Sequence, residues 1–227
     1  MFRTWYCLIS ACLVVFVPIG LSQEPPQQVV EATEAVAEIQ VVGCGLQSGM
    51  LEVAQATGVF LRKGGYLLTC GHLFWYNDDP SDLLELWEIT ITLRGEGWTR
   101  QWQLEDLASC EPNPAVDTER DIALLKLDEQ LRHGLRFGEA TVPSDVWLLG
   151  YADPPRVTSI PGIVRYVTEN CIVIEVDTLP KPGMSGSPVL TREGKIVGIV
   201  IGITEEEFVL AVPAMTTRLL QKMMQCF

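Results

Sequence analysis

Pro182-Gly183-Met184-Ser185-Gly186-Ser187-Pro188-Val189 is the stretch on which the reading of this chain turns. A serine lies between Gly183 and Gly186, a proline stands on either side, and an apolar run follows. A serine that attacks a carbonyl must present its oxygen at a sharp turn, with two backbone N–H groups converging on the oxyanion that forms. Gly183 and Gly186 lack a Cβ and permit the dihedrals and the close approach such a turn requires. Standing alone, the stretch reads equally well as a proline-flanked surface turn. Segments elsewhere in the chain decide between the two.

The 227 residues are 48% hydrophobic and 20% charged, with a formal net charge of −13. That is enough apolar material for one large β domain or two small fused ones. So acidic a chain is not built to hold nucleic acid or an anionic membrane surface by bulk charge. Met1-Phe2-Arg3, the apolar run Trp5 to Leu21 and the small residues Gly20 and Ser22 predict a secretory signal peptide over residues 1–22. That reading implies a secreted or periplasmic protein. An uncleaved membrane anchor ranks second, because the apolar run only approaches the length of a span. A lipoprotein-type box at Ile9-Ser10-Ala11-Cys12 ranks third, since apolar sequence continues past Cys12. Cleavage after Ser22 leaves Cys44, Cys70, Cys110, Cys171 and Cys226, an odd set in which at least one thiol stays unpaired. With only His72 and His133 in the mature chain, neither a zinc site nor another cofactor is expected.

Residues 23–35 open on the polar, proline-bearing Gln23-Glu24-Pro25-Pro26-Gln27-Gln28 and read as an N-terminal arm outside the core, with Val29 to Ala37 able to form a short helix. From Ile39 the pattern becomes strand-like. Thr57 to Arg62 and Tyr66 to Thr69, joined through Gly64-Gly65, read as a hairpin. Asn77-Asp78-Asp79-Pro80 reads as a loop, Trp87 to Leu93 as a half-buried strand by its alternation, and Trp98 to Leu104 as its partner. Cys110 to Thr118 reads as loop and Ile122 to Leu127 as a strand. The second half repeats the style at Trp147 to Gly150, Gly162 to Val167, Cys171 to Val176, Ser187 to Thr191, Ile196 to Gly202 and Phe208 to Val212. Pro213 then opens a helix over 213–225, with Met215, Leu219, Leu220 and Met223 on its apolar face. The expectation is an all-β domain over residues 36–227. It consists of two packed six-stranded antiparallel barrels, about 36–130 and 140–212, and a short C-terminal helix.

Three segments now stand out: Leu68-Thr69-Cys70-Gly71-His72, Asp121-Ile122-Ala123-Leu124-Leu125 and Gly183-Met184-Ser185-Gly186-Ser187-Pro188. In this order, and with Ala56-Thr57-Gly58-Val59-Phe60, Leu149-Gly150-Tyr151 and Phe208 to Pro213 around them, the chain resembles the trypsin-like (chymotrypsin-fold) serine proteases. Within these it is nearest in pattern to the protease domain of the Deg/HtrA type. The likeness runs over roughly residues 36–222. It implies His72 as general base, Asp121 as its orienting partner, Ser185 as nucleophile, and the N–H groups of Gly183 and Ser185 as the oxyanion hole. Asp117 is a nearby rival to Asp121, and His133 reads as a surface residue. The resemblance also places Leu179 at the base of a substrate pocket walled by Ile201, Gly202 and Ile203. An apolar base there implies small or aliphatic residues before the cut, with Lys181 a neighbouring charge of unknown direction. It further implies that Cys44 and Cys110 lie toward one end of the first barrel, within reach of a disulfide.

The departures are specific. Leu73 stands where digestive-type enzymes carry Cys, Ser187 where they carry a second Gly, and Met184 where they carry the Asp that pairs with a new N-terminus. Met184 cannot accept such a pair, so the oxyanion region is expected to be shaped by loop packing, and residues 23–35 to be dispensable. Deg/HtrA relatives usually continue into a PDZ domain, for which the residues up to Phe227 leave no room. The function expected is a serine endopeptidase acting on protein or peptide substrates. A catalytically silent binding protein on the same fold, or an esterase-type serine hydrolase, are the alternatives.

Overall fold

The computed structural model describes residues 24–62, 65–95, 98–109, 113–128 and 134–214. The first half forms β1 (Val36–Gly45), β2 (Leu51–Phe60), β3 (Tyr66–Cys70), β4 (Trp75–Tyr76), β5 (Asp79–Gly95), β6 (Trp98–Trp102), β7 (Ala115–Asp117) and β8 (Ile122–Lys126). These strands make one antiparallel sheet in the order β4-β5-β1-β2-β3-β8-β7, with β6 also paired to β5. The second half forms β9 (Ser144–Asp153), β10 (Arg156–Val167), β11 (Ile172–Val176), β12 (Pro188–Leu190), β13 (Ile196–Ile203) and β14 (Val209–Pro213), closed into a six-stranded barrel.

Only one of the two expected six-stranded barrels is therefore a closed one. The first half is an eight-stranded sheet curled into a half-barrel. The difference lies in β5, whose 17 residues serve three partners: β4 near its start, β1 along its length and β6 near its end. An isolated bridge between Leu107 and Leu127 brings the β6 side back toward the end of β8. The Asn77–Asp78 turn between β4 and β5 has φ of 49° and 57°, left-handed at both positions as a tight hairpin requires. What read as a loop over Asn77 to Pro80 is this turn plus the start of β5, and the Cys110 to Thr118 loop contains β7.

Alternation along each strand sorts side chains into three apolar layers. Ile39, Val41, Phe60, Leu67, Ile91 and Leu125 fill the curl of the first lobe. Leu148, Val164, Ile172, Met184, Val189 and Val209 fill the barrel. Val36, Val59, Leu68, Trp147, Tyr151 and Ile199 form the seam between the lobes.

The expected arm is docked. A short helix α1 (Gln27–Ala32) and a 3-10 turn (Thr33–Ala35) lead directly into β1, and Val29 and Ala32 are buried in the seam cluster. Val29 is fully buried, so Val29→Asp removes about 1.5–3 kcal/mol of apolar burial and strands a carboxylate besides. A drop of at least about 3 kcal/mol in unfolding free energy is expected, measured by urea denaturation, and deletion of residues 23–35 should do no less.

At the other end, Pro213 does not open a helix. It closes β14, paired with Gly198 of β13, and the buried Ala214 after it still donates its N–H to Val197 O at 3.0 Å. Residues 215–225 of that expected helix lie outside the described residues, as do the signal peptide over 1–22, His133, Cys110 and Cys226. No helix among the described residues is long and apolar enough to cross a membrane. Cys44 is a free thiol, half-buried on β1 opposite Leu51 and Glu85, so the expected disulfide is not formed there.

Candidate active site

Strand register brings the first two candidate residues together. Cys70 at the end of β3 pairs with Ile122 at the start of β8, so the residues just beyond, His72 and Asp121, meet at one edge of the first sheet. Asp121 takes a left-handed backbone, φ 55°, which aspartate tolerates better than most side chains. Both of its carboxylate oxygens are engaged by one residue. The His72 backbone N–H donates to Oδ1 at 2.7 Å, and His72 Nδ1 lies 2.8 Å from Oδ2. Asp117, the rival, accepts the N–H groups of Glu119 and Arg120 in a local turn instead.

Ser185 sits on a turn held from both lobes. Its carbonyl accepts the Thr57 N–H from β2 at 2.8 Å, while the Gly186 N–H donates to Val200 O on β13 at 2.8 Å. Gly186 has φ 81°, and a Cβ there would collide with Thr57 O and Thr69 Oγ1 and stand 3.1 Å from Cys70 N. Only glycine lets the serine turn press this closely against the segment that carries His72. No hydrogen bond joins Ser185 Oγ to His72 among the described residues. Catalytic contacts in free enzymes are often long and tighten when substrate binds.

Two N–H groups at the turn stand apart from their neighbour. Neither Gly183 N–H nor Ser185 N–H has a partner among the described residues, whereas the intervening Met184 N–H is bonded to Lys181 O at 3.1 Å. Met184 itself is fully buried in the barrel core, which shows why an apolar residue stands there.

The remaining candidates lie before the serine turn and on β13. Leu179 and Ile203 are exposed, Ile201 is half-buried, and a side chain added at Gly202 would meet only open space. Lys181 pairs with Asp153 at 2.8 Å on the surface, so its ammonium already has a counter-charge. On the other side of His72 a depression is bordered by Glu52, Gln55, Ala56, Leu73 and Trp75. The Trp75 ring meets the imidazole edge-on at 6.2 Å between centroids.

His72 holds its proton more tightly than a free imidazole. Burial works against the charged ring, but the neighbouring Cys70 and the Asp121 carboxylate outweigh it and push the pKa up from 6.5 to about 11. No metal-holding cluster of His, Cys, Asp and Glu occurs among the described residues.

Sequence reading missed a polar row on the seam face of the first lobe. Glu38, only 4% exposed, receives Arg94 Nη1 at 2.7 Å, Gln40 Nε2 at 2.9 Å and Gln55 Nε2 at 3.2 Å. Beside it, the Thr57 hydroxyl donates to Gly183 O at 2.8 Å and accepts the Tyr151 N–H at 2.9 Å. A glutamate within Val36-Ala37-Glu38-Ile39 breaks an apolar run, and that was the one signal available.

A two-lobed β scaffold with a His–Asp pair and a glycine-set serine turn at its seam is the arrangement of the trypsin-like peptidase class. Residues 56–199, well over half of the chain, match the trypsin-like peptidase domain, and the chain belongs to that family. Solved structures agree in fold. The active form of the Rv3671c protease from M. tuberculosis superposes with a TM-score of 0.63 at 19% identity, covering 90% of this chain and 90% of that one. Its inactive form gives 0.61 at 18% identity, with 86% and 92% covered. The HtrA-type protease AlgW, solved with a tripeptide, gives 0.63 at 20% identity, covering 87% of this chain and 61% of its own. No curated protein matches the chain in sequence.

Proposed function

We propose that this chain is a serine endopeptidase, secreted or periplasmic once residues 1–22 are removed. Support comes above all from one observation: Asp121 binds both the ring and the backbone of His72, next to a serine turn that offers two unpaired N–H groups. Ser185 Oγ attacks the scissile carbonyl carbon and gives its proton to His72 Nε2. The carbonyl oxygen, now an oxyanion, is received by the Gly183 and Ser185 N–H groups. Collapse breaks the C–N bond, and the imidazolium returns the proton to the leaving amine. Water then attacks the acyl-enzyme by the same route, releasing the new carboxylate and restoring Ser185.

The substrate residue before the cut lies over Leu179, between walls from Ile201, Gly202 and Ile203, on this reading. An unpaired Lys or Arg would be costly there, so small or aliphatic residues are preferred. A peptide library should show cleavage after Val, Ala or Leu over Arg or Lys by at least about tenfold in kcat/KM, the factor that about 1.4 kcal/mol confers. Strict cleavage after basic residues would refute the pocket assignment.

The missing Ser185–His72 hydrogen bond favours one other reading, a catalytically silent binding protein on this fold. A fluorophosphonate probe separates them. Labelling at Ser185 supports the working nucleophile, and an unlabelled Ser185 in folded protein supports the silent scaffold. Hydrolysis of simple esters without any peptide cleavage would instead mark an esterase.

A further inference from the structure

We propose that Thr57 is a positioning residue that sets the oxyanion-binding geometry of the Gly183–Ser185 turn from the opposite lobe; this rests on the serine-peptidase reading. Thr57 is fully buried in the seam, in register with Glu38 on β1, itself opposite Thr92 on β5. A hydroxyl in so apolar a place is costly unless bonded, and valine would fill the same volume without that cost. Every polar atom of Thr57 is in fact engaged. Its N–H donates to Ser185 O at 2.8 Å, its hydroxyl donates to Gly183 O at 2.8 Å and accepts Tyr151 N–H at 2.9 Å, and its carbonyl accepts Thr69 Oγ1 at 2.6 Å.

The pattern at the turn is selective. Thr57 engages the carbonyls of both Gly183 and Ser185, and the N–H groups of those same two residues are the ones without a partner. The peptide joining Gly183 to Met184 is pinned at both ends, by the Thr57 hydroxyl at its oxygen and by Lys181 O at its N–H. Gly183, at φ 92°, has no side chain to restrict it. Without the hydroxyl the turn is free to relax about that residue and carry its N–H off the line of the oxyanion.

The clamp is braced from behind. A Cβ at Gly183 would lie 2.5 Å from Tyr151 O, so the turn packs directly on that carbonyl, with Gln55 Nε2 the next neighbour at 3.7 Å from the same point. Gln55 is held by Glu38, Glu38 by Arg94, and the Arg94 guanidinium lies over the Tyr151 ring at 5.6 Å. The row runs from Arg94 through the buried Glu38 to Gln55, which is exposed beside the His72 depression.

The test compares two ligands of the same cleft. A peptide boronate becomes tetrahedral on Ser185 and needs the hole; a product peptide with the same sequence needs the cleft alone. In Thr57→Val, boronate affinity and kcat are expected to fall by about 10²-fold, the penalty for displacing a catalytic group by about an ångström. Product-peptide affinity and KM should stay within a factor of about two, which is RT ln 2 or about 0.4 kcal/mol, and Thr57→Ser should restore both losses. Should Thr57→Val not fold, Gln55→Ala at the accessible end of the row serves in its place, with an expected boronate loss of about 3- to 10-fold, the worth of one hydrogen bond. Equal loss of both ligands, or loss of neither, overturns the proposal. A wild-type protein that neither labels with fluorophosphonate nor binds boronate overturns the peptidase reading, and the role of Thr57 falls with it.

Discussion

Ser185→Ala is expected to reduce kcat by about 10⁶-fold while leaving the fold and KM essentially intact, and His72→Ala should come close to it. Ser185 is half-buried on a turn fixed by its backbone, through Thr57 N–H on one side and the Gly186–Val200 bond on the other, so loss of the hydroxyl removes no structural contact. His72 is fixed at its own backbone by Asp121 Oδ1, and its alanine variant keeps that bond. The double variant should be little worse than either single one, because the pair acts as a unit and the hole alone supplies the remainder. Single-turnover hydrolysis of a peptide cut by the wild type measures this. A Ser185→Ala protein with more than about a hundredth of wild-type kcat would place the nucleophile elsewhere.

What the sequence revealed of this site was local, and what it hid was not. His72 follows strand β3 and Asp121 precedes strand β8, so each candidate announced itself by its neighbours, Thr69-Cys70-Gly71 and Ile122-Ala123-Leu124. Thr57 carries no such sign. Its partners Tyr151 and Gly183 lie 94 and 126 residues further along the chain, and nothing in Ala56-Thr57-Gly58 tells a clamp from an ordinary strand residue. Glu38 carries no local sign of its burial either: it is 4% exposed and is satisfied by Arg94, 56 residues further along the chain.

The fold divides in the same way. Most strands were visible as short apolar runs between turn residues, one of them by alternation, and the hairpin of β2 and β3 from its glycines. Closure was not, because whether a sheet curls or seals depends on how many partners β5 takes and not on its own pattern. A short helix near Val29 was legible, but its docking on the seam was hidden by its flanks. Pro25, Pro26, Gln27 and Gln28 read as tether, and Val29 and Ala32 are too few to announce an apolar face.

Asp121→Asn should cost about 10⁴-fold in the plateau of kcat and also move its pH dependence, and the second effect distinguishes an orienting carboxylate from a merely structural one. The general base works only when neutral. Because His72 is pushed up from 6.5 toward about 11, the free enzyme at neutral pH carries a protonated imidazole, and kcat/KM should climb with pH through the range above 6.5. Asparagine keeps the size of Asp121 but removes its share of what holds the imidazolium, leaving that of Cys70 in place. Its amide also favours the tautomer with the proton on the nitrogen that must accept from Ser185. The ascending limb should therefore shift to lower pH while its plateau falls. Stability moves the other way with pH in the wild type. A group whose folded pKa lies above its unfolded 6.5 contributes stability that is fully present below pH 6.5 and is lost as pH rises toward about 11. Alkaline pH should thus raise turnover and lower the unfolding midpoint of the wild type together, and Asp121→Asn should flatten both slopes. Rate profiles across pH 5 to 10 read the shift and slope of the ascending limb, and thermal melts over the same range read the stability on the same samples. A variant that loses turnover but keeps the wild-type ascending limb would show that Asp121 does not hold the proton on His72.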